Sequence, residues 1–192
     1  MDATTSFPGR EGHSGDPVRL GIVTVSDRAS RGDYPDEGGP AILAFFQAAI
    51  KSPWTALYRC VPDERDDVEA AIIELVDEEG CSVVVTTGGT GLTGRDSTPE
   101  AFAAIVEKDI PGFGELFRML SFEKIGTSTV QSRALAGVAG GTYLFALPGS
   151  TSACKDGWDD ILRYQLDIRH RPCNFVEIMP RLNESATTRR TR

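Results

Sequence analysis

Two rhythms of apolar and polar positions alternate along the chain. Residues 18–25, "VRLGIVTV", form a nearly continuous apolar run, the pattern of a strand covered on both faces. After a polar loop ending in two glycines, Ile42, Phe45, Phe46, Ala49 and Ile50 recur at helical spacing. "TALYRCV" (55–61) reads as a second strand, and Val68, Ala71, Ile72, Leu75 and Val76 form a second helical stripe. Gly80 stops that helix, and "CSVVVTT" (81–87) reads as a third strand. Strand and helix alternating in this way predict a parallel sheet with right-handed crossovers.

The later pattern adds a helix and a hairpin. Thr98 suits an N-cap and Pro99 a first helical position, with Phe102, Ile105 and Val106 as the buried face and "IPGFG" (110–114) as the end. "SRALAGVAGGTYLFALPGS" (132–150) holds two strand-like runs joined at Gly140-Gly141, a hairpin signal. A last amphipathic helix carries Cys154, Trp158, Ile161, Leu162 and Gln165 on one side. The expected fold class is α/β: a three-layer α/β/α domain over residues 18–182, with a mostly parallel central sheet and a short hairpin near the C-terminal half. Residues 1–17 and 183–192 read as flexible tails.

Composition narrows the function. A length of 192 residues with 40% hydrophobic and 25% charged positions describes one ordinary globular domain. The net charge of −8 supplies no broad basic field, which argues against a nucleic-acid binder; any anion must be held locally. No apolar run approaches the ~20 residues that span a bilayer. The N-terminal segment has no apolar core, so no signal peptide is expected. Cys60, Cys81, Cys154 and Cys173 are scattered without a C-x-x-C pair, which points away from zinc and towards a reduced, cytoplasmic protein. His13 lies in the tail, leaving His170 as the sole imidazole candidate, with a structural role the stronger reading.

In an open α/β sheet, ligands bind outside the carboxyl ends of the parallel strands. The loops expected there are Ser26-Asp27-Arg28, Pro62-Asp63-Glu64, Thr86 to Asp96 and Pro148-Gly149-Ser150. Gly89-x-Gly91-x-x-Gly94 spells the dinucleotide fingerprint, but the helix-start signals come after Gly94 rather than before it. The same stretch misses a P-loop because Arg95 and Asp96 stand where lysine and a hydroxyl residue belong. What remains is a glycine turn whose N–H groups could wrap a phosphate, with a carboxylate close behind. Asp96 would repel that phosphate unless a Mg²⁺ ion bridges them, and Asp63, from the neighbouring strand end, is its natural companion.

Structural roles compete for these residues. Asp63 precedes "ERDDVEAAIIELV" and makes a good N-cap, which from the residues alone ranks ahead of catalysis. Asp96 could equally organise the turn before Thr98. Glu115 and Arg118 fit a solvated i,i+3 ion pair, and Arg133 is ambiguous.

Taken together, "TVSDRAS", "VPDE", "TTGGTGLTGRDSTPEA", "PGFGE", "SRALAG" and "LPGS" resemble the MoaB/Mog family of molybdopterin-binding domains. The resemblance covers nearly the whole chain between the tails. It implies a three-layer α/β fold assembled as a homotrimer or as a hexamer of two stacked trimers. In the adenylyltransferase branch it also implies a reaction of ATP and Mg²⁺ with molybdopterin that yields adenylylated molybdopterin and pyrophosphate, the product passing to a molybdenum-insertion partner protein. By matching, Asp63 and Asp96 fall on the family's catalytic acids. Ser26, Gly88, Gly89, Thr90, Gly91, Pro148, Gly149 and Ser150 fall on phosphate and nucleotide contacts, and Glu115, Ser132 and Arg133 on pterin-side contacts.

The matches form a mosaic. "TVSDRAS" through "VPDE" is similar to the Mog branch, whereas "FRMLSFEKIGTSTVQSRA" through "RPCNF" is similar to MoaB. MoaB-type sequences generally lack the "VPDE" aspartate, which this chain retains. The resemblance therefore implies an adenylyltransferase, with a MoaB-type binding protein that does not turn over ATP as the alternative.

Overall fold

The computed structural model describes residues 18–50 and 54–184. The stretches expected as tails, 1–17 and all but the first two residues of 183–192, lie outside the described residues. Six strands form one sheet in the order β2-β1-β3-β6-β5-β4. They are β1 (Val18–Val25), β2 (Trp54–Val61), β3 (Val83–Thr87), β4 (Lys108–Asp109), β5 (Leu135–Ala139) and β6 (Thr142–Leu147). The first four in spatial order are parallel, while β5 and β4 join antiparallel. The expected three-layer, mostly parallel α/β architecture is what the chain adopts.

Alternation along the central strands divides the core in two. Leu20, Ile22, Val83, Val85, Tyr143, Phe145 and Leu147 pack into one cluster with Ile42, Phe46, Phe113, Phe117 and Trp158. Their neighbours Val23, Val25, Val84, Leu144 and Ala146 face the other, with Val68, Ile72, Leu75 and Phe102. A strand buried on both faces has no polar positions to reveal its period, which is why β1, β3 and β6 read as continuous apolar runs. The first cluster is covered by α2 (Gly38–Ala49), α5 (Pro111–Ile125) and α6 (Thr151–Gly157), and the second by α3 (Arg65–Ile73) and α4 (Thr98–Ile105). A single turn, α1 (Asp27–Ser30), follows β1. The last expected helix runs from α6 through a wide π-turn, Trp158–Leu162, into α7 (Arg163–Gln165), and α8 (Phe175–Ile178) leads into a final 3-10 turn, Met179–Arg181.

Three local expectations change. "IPGFG" does not end α4; that helix stops at Ile105, the short β4 intervenes, and Pro111 opens α5. Proline cannot continue a helix but is suited to a first turn, so the same residues serve a start as readily as a stop. Thr98 is the first residue of α4 rather than its cap. Its hydroxyl donates to the Gly88 carbonyl at 2.9 Å instead. Glu115 and Arg118 form no ion pair; the Arg118 guanidinium donates to the carbonyls of Ser132 and Ala134 at 3.4 and 3.0 Å. The hairpin at Gly140-Gly141 is as expected, with both glycines at positive φ (55° and 76°). Asn183 lies against Gly141, so the ordered packing reaches at least one residue beyond the expected boundary at 182.

Candidate active site

Parallel register places the ends of β1, β2, β3 and β6 at one edge: Val25 faces Val61, Thr24 faces Thr87, and Thr87 faces Leu147. The loops leaving them surround a cavity of about 670 Å³, within the range of about 300–1,000 Å³ usual for small-molecule sites. Ser26, Gly88, Gly89, Thr90, Gly91, Asp96, Ser132, Pro148, Gly149 and Ser150 all line it. Asp63, Glu115 and Arg133 do not.

The glycine turn is held so that its carbonyls face away from the cavity. Gly88 and Gly89 adopt φ of +105° and +64°, values that other residues rarely take. The carbonyls of Gly88 and Gly89 accept from the hydroxyl and the amide of Thr98, at 2.9 and 3.0 Å. Those of Thr90 and Gly91 accept from the amide and the Nε of Arg133, at 3.0 and 2.7 Å. Arg133 also binds the Asp96 carbonyl at 2.8 Å and pairs with Glu100. With four successive carbonyls pinned from behind, the amides of Gly89 and Thr90 hydrogen-bond to nothing among the described residues. Such a turn is an anion cradle. Gly149 abuts it: a Cβ there would stand 3.2 Å from the Gly88 Cα. Ser150 caps α6, accepting from the Ala153 amide at 3.3 Å.

The two acidic residues are differently placed. Asp96 borders the cavity, its Oδ2 accepting from the amide and hydroxyl of Thr93 at 2.8 and 2.6 Å. Burial raises its pKa, but these bonds, an amide bond from Gly91 and the Arg133 charge together outweigh burial and lower it. Asp63 is not part of the cavity lining. Its Oδ2 accepts from the Asp27 amide at 2.7 Å, and its own amide donates to Asp27 Oδ1 at 3.1 Å. Burial pushes the Asp63 carboxyl above the ordinary range, and the Asp27 amide only partly offsets that. Asp63 is thus not the cap of α3, whose N-cap is Glu64 without a side-chain bond. Asp63 and Asp96 are close enough for the Asp96 charge to contribute to the Asp63 shift.

Several lining residues escape a reading from motifs. Among the described lining residues Arg28 is the sole cation, and it shares the lining with Asp36, Glu37 and Asp96. Its guanidinium lies 5.1 Å from the centre of the exposed Tyr34 ring and has no carboxylate partner among the described residues. Asp36 joins β1, β2 and α2. It accepts from Thr24 Oγ1 at 3.0 Å, from Tyr58 Oη at 2.6 Å and from the amides of Gly38 and Gly39 at 3.0 and 3.1 Å. The Tyr58 phenol is shifted upward by burial and by that bond. Gln131 lines the cavity beside Ser132. The signal in the sequence was positional only: Arg28 belongs to the expected loop after β1 and Asp36 follows it, whereas Gln131, in the turn before β5, lies near none of the expected strand-end loops in sequence.

No helix among the described residues is long and apolar enough to cross a membrane. A family model described as "probable molybdopterin binding domain" matches residues 21–168. Molybdenum cofactor biosynthesis protein B of Escherichia coli (strain K12) is 46% identical over 159 residues, covering 83% of this chain and 91% of that protein. Molybdopterin adenylyltransferase of Haemophilus influenzae is 40% identical over 139 residues, covering 72% and 70%. The crystal structure of the tungsten cofactor synthesizing protein MoaB from Pyrococcus furiosus superposes with a TM-score of 0.69 at 37% identity, covering 78% of this chain and 92% of that one. With the matched span running from β1 to the helix beyond β6, and with the glycine turn and its carboxylate at the shared strand ends, this chain belongs to the molybdopterin-binding domain family of MoaB and Mog.

Proposed function

We propose that this protein acts in molybdenum cofactor biosynthesis by adenylylating molybdopterin with ATP. A molybdopterin phosphate oxygen attacks the α-phosphorus of ATP, a P–O bond forms, and pyrophosphate leaves. The observation that carries this reading is the glycine turn: two free amides on residues that line a cavity the Asp96 carboxylate also borders. Gly89 and Thr90 hold phosphate oxygens, Ser26 and Ser150 offer hydroxyls at the flanks, and the Pro148–Ser150 loop closes the nucleotide side. Ser132, with Gln131, faces the pterin side. Glu115, exposed on α5, remains a pterin contact only if the ligand extends beyond the cavity; Arg133, with its donors on the loop backbone, supports the turn from behind.

Asp63 and Asp96 fit magnesium in kind. They are hard oxygen donors, and each has one carboxylate oxygen already fixed by an N–H group. Among the described residues no three His, Cys, Asp or Glu side chains converge on a metal position. The pair would hold the ion only together with phosphate oxygens, which is how magnesium is ordinarily held. Bound there, it would neutralise charge between the triphosphate and the carboxylates. Asp96, which borders the cavity, and Asp63, after β2, are the side chains that would hold it.

The test is product formation: molybdopterin, ATP and Mg²⁺ mixed with the protein should yield adenylylated pterin and pyrophosphate, and no product from competent substrate overturns the proposal. A second reading, a pterin-binding protein without turnover, is favoured by the 46% identity to protein B and by Asp63 standing outside the cavity lining. Calorimetry separates them, since that protein would bind pterin with no Mg²⁺-dependent binding of ATP. We further infer a cytoplasmic homotrimer or hexamer that hands its product to a molybdenum-insertion protein. Exposed Leu116, Met119, Phe122 and Ile125 on α5 support assembly, and light scattering checks it.

A further inference from the structure

We propose that the Asp27–Arg95 ion pair is a gauge that fixes Asp96 relative to Asp63, making Asp27 and Arg95 positioning residues; this rests on the reading of Asp63 and Asp96 as the working carboxylates. Three loops meet at Asp27. It follows β1, exchanges reciprocal hydrogen bonds with Asp63 after β2, and accepts two more from Arg95 in the loop after β3. Arg95 Nε and Nη2 grip Asp27 Oδ2 and Oδ1 at 3.1 and 2.8 Å, a forked contact, and its third nitrogen, Nη1, reaches Glu64 beside Asp63. Among the described residues, every hydrogen bond from loop 92–97 to the loops after β1 and β2 is made by Arg95. Arg133 holds the same loop from the β5 side.

The linkage between the two working carboxylates is therefore short and stiff. Asp96 is bonded in sequence to Arg95, whose planar fork admits one orientation on Asp27, and the same Asp27 carboxylate accepts the Asp63 amide. Neither Asp27 nor Arg95 lines the cavity, so neither is placed to touch substrate. Energetics separate this role from a merely structural one. The pair is partly exposed, with side chains 27% and 51% accessible, and exposed ion pairs contribute about 0–1 kcal/mol to stability. Positioning is far more sensitive: a misplacement of about 1 Å can cost around a hundredfold in rate.

The experiment compares Asp27→Asn, Arg95→Met, Arg95→Lys and the Asp27→Asn/Arg95→Met double variant with wild type. The gauge predicts that each of the first two lowers kcat by about tenfold or more, with the KM for molybdopterin and the Tm near wild type. The double variant should be no slower than the slower single, because one device has been removed twice. Arg95→Lys keeps the charge without the fork and should stay nearer to Arg95→Met than to wild type. Multiplying losses, losses that track Tm, or full activity in Arg95→Lys would each overturn the gauge. Amide exchange followed by nuclear magnetic resonance reads the same geometry without turnover: Asp63 N–H should lose protection in Arg95→Met while the β3 amides keep theirs, and unchanged Asp63 protection refutes the linkage. A wild-type protein that makes no adenylylated product defeats the functional reading, whereas exchange still decides the linkage.

Discussion

Asp96 lies across Gly91 so closely that a Cβ on Gly91 would stand 2.8 Å from Asp96 Oδ2 and 3.1 Å from its Cγ. The glycine is there for the carboxylate as much as for the turn. Gly91→Ala should push Asp96 from its seat, lowering turnover by about tenfold or more with a small loss in Tm. Gly88→Ala should behave differently, since Gly88 sits at φ +105° and its added Cβ would meet the Val25 carbonyl at 2.2 Å. There the cost falls on folding, about 1–3 kcal/mol or more by urea denaturation. Equal stability losses in the two variants would contradict the assignment.

Asp63→Asn separates chemistry from architecture. Asparagine can still accept the Asp27 amide bond, and α3 does not depend on Asp63 for its cap. Turnover should fall by about a hundredfold or more, the scale of a lost electrostatic group, with Tm nearly unchanged. Because burial holds the native Asp63 pKa above its unfolded value, the native state binds the extra proton and the ionised form costs stability above that window. The variant removes this cost, so any Tm shift at neutral pH should be upward. A large fall in Tm with turnover intact would make Asp63 purely structural.

Arg28→Met tests the lone cation of the cavity wall. A charge-assisted hydrogen bond contributes roughly 1.5–3 kcal/mol, so the KM for ATP should rise about tenfold or more, less steeply in high salt. The Tm should barely move, since the side chain has no carboxylate partner among the described residues. An unchanged KM for ATP would show that this cation does not contact the nucleotide.

Tyr143 supplies a pH signature. Burial raises its phenol to about 12, and its hydroxyl donates to the Phe175 carbonyl at 3.0 Å, tying α8 to β6. A raised native pKa means stability is fully present below the unfolded value of 10.0 and is lost as the pH rises through about 12. Tyr58 is raised as well, so the late rise in tyrosinate absorbance should lose the amplitude of one tyrosine, not vanish, in Tyr143→Phe, and that variant should lose about 1 kcal/mol at neutral pH. A late amplitude unchanged in Tyr143→Phe would refute the coupling.

The apolar rhythm of the chain by itself determined the layered fold. Runs such as Val18–Val25 and stripes such as Val68, Ile72 and Leu75 are local signals, because burial on two faces or one imposes its period on neighbouring residues. The edge where the loops gather was legible as well, since parallel strands deliver all their following loops to one side, and ten of the thirteen residues expected at the site line one cavity there. What only the tertiary structure decided was how side chains from distant loops face one another. Arg133, expected at the pterin, turns its donors onto Gly91 and Asp96, and Asp63, a helix cap by its residues and a catalytic acid by resemblance, answers Asp27 across 36 positions of sequence. Asp36 and Gln131, outside the expected strand-end loops, join the same cavity lining. A hydrogen bond between loops depends on where the sheet register sets two strand ends, and no pattern within either loop encodes that distance.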